Sequence, residues 1–290
     1  MNPSVEAFRD PVTASFSYVV FDQVGGHAAI VDPVLDFDPV SARTSTAGAD
    51  RLLAFVAENA LTVNWVLETH AHADHLTAGA YLRDRLGARL AIGRGIVEVQ
   101  AWCQRLFNLG EDFRADGSQF DHLFEPDETF EIGALRARVL ATPGHTSEGV
   151  AYVIGDAVFV GDTLFAPDSG SARCDFPGGD AQRLYTSIQR ILALPGDTRL
   201  YLCHDYPPKG RAPNALTTVA LEAANNIHVA TGIEREAFVR MRRERDATLP
   251  QPRLMLAALQ VNIRGGRLPP ADLNGISYLR LPLNAIGGAA

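Results

Sequence analysis

Four times along this chain a short apolar run ends in residues rich in histidine and aspartate: "VNWVLETHAHADH" (63–75), "VLATPGHT" (139–146), "AVFVGDT" (157–163) and "LYLCHDY" (200–206). Apolar runs of this length read as buried strands. A sheet holds its strand ends rigidly, so polar residues just beyond them can converge on one point from distant parts of the sequence. The first of these islands packs His70, His72, Asp74 and His75 into six residues. Such side chains are costly to bury without a partner and easily left in water, so their crowding points to a shared ligand.

The remaining chain supplies elements for such a frame. "SFSYVVFD", Gly25-Gly26 and "HAAIVDPV" have the pattern of a strand hairpin, followed by an amphipathic helix around "ADRLLAFVAENA". Asp74 reads as the N-cap of a helix, "HLTAGAYLRDRLG", that stops at Gly87. The middle of the chain offers four short strands, then a helix "DAQRLYTSIQRILAL" and a strand "TRLYLCH". Two halves with the same order of strands and then helices suit two sheets packed face to face with helices outside. One domain over residues 1–290 is expected, with the residues after about 229 forming a C-terminal helix and tail packed on it.

Composition narrows the function. The chain has 290 residues, 47% of them hydrophobic, and a net charge of −8 with scattered Lys and Arg, which argues against a nucleic-acid partner. It shows neither a basic leader nor an apolar run of about 18 residues. A soluble, cytoplasmic protein with no membrane partner is therefore expected. Cys103, Cys174 and Cys203 are far apart and odd in number, which fits neither a disulfide framework nor a thiolate metal site. The other islands add His145, Asp162 and His204 to the first cluster. Imidazole and carboxylate donors together suit zinc, iron or manganese. His27, His122 and His228 stand alone and read as structural.

The strings "THAHADH", "TPGHT", "GDTLF" and "CHDY" resemble the successive signatures of the metallo-β-lactamase superfamily, over most of the chain to about residue 228. The resemblance implies an α/β fold of four layers, an αββα sandwich with the metal site at one edge of the two sheets. In dinuclear hydrolases of this family, such as glyoxalase-II-type thioesterases, His70, His72 and His145 would hold one zinc. Asp74, His75 and His204 would hold a second zinc, with Asp162 between the two. In the persulfide dioxygenases of the same family, His70, His145 and Asp162 would hold a single Fe(2+), while His72, Asp74, His75 and His204 would act around it through hydrogen bonds.

The segment "ARCDFPGGDA" resembles the dioxygenases, which carry the unit formed here by Arg173, Asp175 and Phe176. The resemblance thus implies iron-dependent oxidation of a thiol persulfide, such as glutathione persulfide, by O2 to sulfite and free thiol, in sulfide detoxification. Arg173, Tyr206, Lys209 and Arg211 are the candidate substrate-binding residues, although solvated loop charges are the plainer reading of the last two. An ion pair with Asp175 is the equal alternative for Arg173. Cys174 reads as a buried, inert thiol before it reads as a redox group. No rhodanese segment follows, so a sulfurtransferase partner would be a separate chain; a homodimer is compatible with the sequence.

Overall fold

The computed structural model describes residues 1–286. Strands β1 (Ser4–Arg9), β2 (Phe16–Phe21) and β3 (His27–Val31) pair antiparallel, the last two around the Gly25-Gly26 turn. β4 (Val34–Asp38) and β5 (Arg43–Ser45) lead into α1 (Ala47–Glu58). The chain then continues the first sheet with β6 (Thr62–Leu67), parallel to β3. β7 (Leu76–Thr77), α2 (Gly79–Leu86), β8 (Arg89–Gly93), α3 (Ile96–Leu106) and β9 (His122–Phe124) complete this half. The sheet order is β1-β2-β3-β6-β8-β9, and β5-β4-β7 form a small sheet of their own.

The second half repeats the plan. β10 (Thr129–Ile132), β11 (Leu135–Ala141), β12 (Val150–Ile154), β13 (Ala157–Phe159), β14 (Arg199–Tyr201) and β15 (Leu216–Thr218) stand side by side in sequence order. Only β13 and β14 run parallel, because α4 (Ala181–Leu192) crosses between them. α5 (Val219–Asn225), α6 (Arg235–Asp246) and α7 (Met255–Asn262) close the chain.

Alternation along each strand explains the layering. In β2, Val20 belongs to the core between the two sheets with Tyr152 and Phe159, while its neighbour Val19 belongs to the outer core with Leu52 and Val56 of α1. In the second sheet, Leu140, Val158 and Leu200 turn outward onto Leu184, Ile188 and Ile191 of α4. Each sheet is thus buried on both faces, which is why its strands read as continuous apolar runs. The result is the αββα sandwich implied by the resemblance.

Two expectations need correction. Asp74 caps no helix: Leu76 and Thr77 pair with Leu35 and Val34 as β7, and α2 starts only at Gly79. Strand pairing claims the segment that helical periodicity had suggested, while Gly87 does end α2 in the left-handed conformation (φ 65°). After residue 229 there are two helices rather than one. Pro250 and Pro252 lie in the break between them. α6 packs through Phe238 on the second sheet's helices, and α7 through Ala258 and Val261 on the first half. No helix among the described residues is long and apolar enough to cross a membrane.

Candidate metal centre

The loop after β6 carries His70, His72, Asp74 and His75, and other elements hold its backbone. Asp32 at the end of β3 accepts from Thr69 N (2.7 Å), and Glu148 accepts from Ala71 N (3.0 Å). Asn262 at the end of α7 donates to the carbonyls of His72 (2.7 Å) and His75 (2.8 Å). Two glycines let other segments approach. Gly144 has φ 142° and a Cβ there would lie 2.3 Å from the Leu184 backbone, so the turn that presents His145 has no room for a side chain. Gly161 has φ 53° and a Cβ would lie 2.7 Å from Thr69 Oγ1, so the approach of Asp162 to the histidine loop requires glycine as well.

Hydrogen bonds assign the imidazole tautomers. His145 Nδ1 lies 2.7 Å from the Arg173 carbonyl, which can only accept, so Nδ1 carries the proton and Nε2 the lone pair. His70 Nδ1 lies 3.0 Å from Thr69 Oγ1, whose own proton goes to Asp32 Oδ2 (2.8 Å), leaving His70 Nε2 likewise free. His75 turns Nδ1 to Asp74 Oδ2 (3.1 Å), and His72 turns Nε2 to Asp32 Oδ1 (3.1 Å) and Glu68 Oε2 (3.8 Å). His70, His75 and His145 each keep Nε2 for something else, and His72, which only approaches these carboxylates, keeps both nitrogens.

Those nitrogens meet carboxylate. Asp162 Oδ2 lies 3.7 Å from His145 Nε2 and 4.0 Å from His70 Nε2, and the three groups each offer a donor atom within 4.8 Å of the others. His204 Nε2 sits 3.2 Å from Asp74 Oδ2 and 3.5 Å from Asp162 Oδ1. His72, Asp74 and His75 form a further group of the same compactness, as do Asp162, Cys203 and His204. Within this cluster His70 Nε2, both ring nitrogens of His72 and of His204, His75 Nε2 and Asp162 Oδ1 are buried without a hydrogen-bond partner. Such orphaned polar atoms are costly unless a ligand takes them, so the donor set fits a metal.

The electrostatics agree with that role. Burial, then the neighbouring imidazoles, pushes His70 and His72 well below the ordinary histidine range, so both stay neutral as ligands must. Burial works against the Asp74 anion, yet His204 and His75 hold its carboxyl well below the usual range. Behind the loop, burial raises Asp32, Glu68 and Glu148. These three acids and Asn262 were missed in the sequence. Asp32 follows the apolar run "HAAIV" in the same way as the recognised islands.

A pocket of about 730 Å³ opens over the cluster, with Asp74, His145 and Asp162 at its base and Phe165, Phe176 and Tyr206 among its walls. Tyr206 is half-exposed and stacks on His204, ring centroids 5.5 Å apart. Arg173 lines the pocket, but its donors are engaged: Nε and Nη2 go to Asp175 (2.6 and 2.7 Å) and Nη1 to the Pro250 carbonyl (2.6 Å). Arg211 is held between Asp205 and Asp168. Lys209 is exposed and lies outside the pocket's lining. Neither arginine therefore presents a free fork to a substrate carboxylate: Arg173 makes the ion pair with Asp175 that was the alternative to substrate binding, and Arg211 is paired rather than solvated. The Cys174 thiol donates to Asp246 (3.3 Å), and burial together with that carboxylate pushes it up to about 12, which leaves it unreactive. His228 Nδ1 accepts from Ser171 N (2.9 Å) and His122 pairs with Glu128 (2.6 Å), both structural contacts.

Fold and site together define a metal-binding α/β sandwich, and sequence comparison gives its family. The description "Metallo-beta-lactamase superfamily" matches residues 10–204, and the chain belongs to that superfamily. It is 52% identical to a "Probable metallo-hydrolase" of Burkholderia pseudomallei, over 98% of this chain and all of that one. It is 48% identical to "Glyoxylase B2" of Dictyostelium discoideum over 97% of both. To the human mitochondrial "Persulfide dioxygenase ETHE1" it is 28% identical, over 90% of this chain and 88% of that one. The crystal structure of ETHE1 from Myxococcus xanthus superposes with a TM-score of 0.72 at 32% identity, covering 91% of this chain and all of that one. The chain spans 66% of the length of the Agrobacterium fabrum "Beta-lactamase hydrolase-like protein", with which it shares 53% identity.

Proposed function

We propose that the protein is a persulfide dioxygenase that binds one Fe(2+) through His70, His145 and Asp162. The observation that carries this reading is the grouping of donors: those three offer ligand atoms within 4.8 Å of one another, while His72 groups with Asp74 and His75 instead. Two imidazoles and one carboxylate on one face form the ligand set of non-haem iron(II) oxygenases. The likeness to ETHE1 in sequence and structure supports the same reading. Iron, when bound, supplies the redox chemistry by which a persulfide, dioxygen and water give thiol, sulfite and two protons; zinc has no accessible redox state for it.

The chain's own groups do the rest. The Arg173 carbonyl and Thr69 hydroxyl fix the two imidazoles in the tautomers that leave Nε2 free. Phe176 packs edge-on against His145 (centroids 5.1 Å apart), and Phe165 and Tyr206, which pack against His204, also line the pocket, so aromatic rings flank the sulfur end of a thiol carrier. His204 and Asp74 border the site beside Asp162, and Asp74, held as a carboxylate, can accept hydrogen bonds there.

A second reading is a dinuclear zinc hydrolase of glutathione thioesters. It is favoured by the presence of all seven donors in one cluster and by the name of the Dictyostelium relative. Metal analysis of protein purified without added metal, combined with oxygen uptake on glutathione persulfide, separates the two. One iron per chain with oxygen consumption is expected. Two zinc ions with hydrolysis of S-lactoylglutathione would sink the dioxygenase.

A further inference from the structure

The arginines expected to hold the substrate are already occupied, yet the pocket has other cations. Its wall on the side of α6 and the loop that follows is lined by Arg242, Arg245, Leu249, Pro252 and Arg253. Arg242 is buried and both its terminal nitrogens are engaged, donating to the carbonyls of Ser171 (2.8 Å) and Ala172 (3.1 Å) and to Asp246 (2.7 Å). Arg245 and Arg253 differ: both are exposed, and neither has a carboxylate within ion-pair distance among the described residues. Arg253 also feels Asp38, whose carboxyl is lowered mainly by hydrogen bonds from Ser41 and Val40, but forms no ion pair with it.

The acids around the pocket cannot neutralise this pair. Asp168 is bound by Arg211, Asp175 by Arg173 and Asp246 by Arg242, while Asp74 and Asp162 belong to the metal cluster. In a chain of net charge −8, two guanidinium groups without an ion-pair partner among the described residues thus line the pocket over the metal cluster. Charge of one sign along a cleft concentrates ligands of the other. Guanidinium groups pair with carboxylate or phosphate through two parallel hydrogen bonds, which adds orientation to attraction.

We propose that Arg245 and Arg253 bind the carrier half of the substrate, and that this carrier is an anionic thiol whose carboxylate or phosphate groups they grip while its sulfur reaches the metal. The proposal rests on the persulfide reading for the identity of the sulfur end. The pocket's volume, about 730 Å³, is within the range of sites that enclose a molecule of this size. Arg173 and Arg211 then act as structural clamps that hold the pocket's shape.

Calorimetric titration of the iron-loaded protein with glutathione, coenzyme A and uncharged 2-mercaptoethanol tests this without turnover. R245Q/R253Q is expected to weaken binding of the preferred charged thiol by about tenfold or more, with 2-mercaptoethanol unaffected and the melting temperature retained because both side chains are exposed. R245K/R253K should fall between wild type and the Gln variant. Preference for glutathione would assign carboxylates as the recognised groups, and preference for coenzyme A phosphates. Equal affinity of wild type and R245Q/R253Q for both charged thiols, or no preference of wild type for either over 2-mercaptoethanol, overturns the proposal. Arginine-dependent binding without oxygen uptake on any persulfide would keep the anion site and discard the dioxygenase.

Discussion

The side-chain amide of Asn262 donates to the carbonyl oxygen of His72 at 2.7 Å, across 190 residues of chain. Its second proton reaches the His75 carbonyl, and its Oδ1 accepts from Thr77 N (2.8 Å), so one buried amide in the last helix ties both ends of the histidine loop. Asn262→Ala would strand two carbonyls and one N–H away from water. A loss of about 3 kcal/mol is expected, together with faster loss of metal to a chelator, because the loop that also carries the ligand His70 is freed. Metal retention equal to wild type after dialysis against EDTA would show that the loop holds itself.

Replacing Asp162 should act differently from replacing His204. Asp162 is the carboxylate on which His70 and His145 converge, so Asp162→Ala should abolish iron binding and activity together. His204 faces Asp74 and Asp162 from the side and does not join that triad. His204→Ala should keep most of the iron and lower turnover by about 10–100-fold, the usual effect of a group that tunes a ligand. Equal iron loss in both variants, measured by elemental analysis, would make His204 a ligand.

How much of this was legible depends on the kind of signal. Strands buried on both faces leave apolar runs, and the islands after them named the seven donors because ligand types and turn glycines are local. Gly144 and Gly161 are needed for close approaches to Leu184 and Thr69, which no local pattern reveals, although their place beside His145 and Asp162 hinted at turns. The N-cap assigned to Asp74 failed because pairing of Leu76 and Thr77 with β4 is a tertiary event that overrides periodicity. Asn262 was invisible for the same reason: an asparagine at the end of an apolar helix becomes significant only through what it meets. The Arg173–Asp175 pair was legible because it is local, whereas the further partners Pro250 of Arg173 and Asp168 of Arg211 come from distant segments.

Arg173→Lys tests the structural role of this guanidinium. A lysine cannot span both Asp175 oxygens and the Pro250 carbonyl, so stability should fall by about 1–3 kcal/mol. Because the Arg173 carbonyl fixes His145, a small loss of iron affinity should accompany the lower melting temperature. KM for glutathione persulfide should stay within about twofold, since lost forks of the grip kind cost roughly tenfold or more. A large rise in KM at unchanged melting temperature would return Arg173 to the substrate.

The pH response of folding should carry a contribution from His228. Burial, then the cations Arg242 and Arg245, lowers this imidazole from its ordinary range to about 4, and its Nδ1 must stay unprotonated to accept from Ser171 N. The unfolded chain binds the proton at about pH 6.5. Between those values the unfolded state holds more protons, so stability present above about pH 6.5 is lost as pH falls toward 4, and below that the loss levels off. The size expected is about 2 kcal/mol after allowing for solvent at the ring's edge. His228→Asn keeps an acceptor for Ser171 and removes the titration. The stability difference between the variant and wild type, measured by urea unfolding at several pH values, should therefore shift in the variant's favour across that window. Taking the difference cancels the carboxylates and metal ligands common to both proteins. A difference that does not change with pH would mean that His228 is protonated in the folded protein as readily as in the unfolded one.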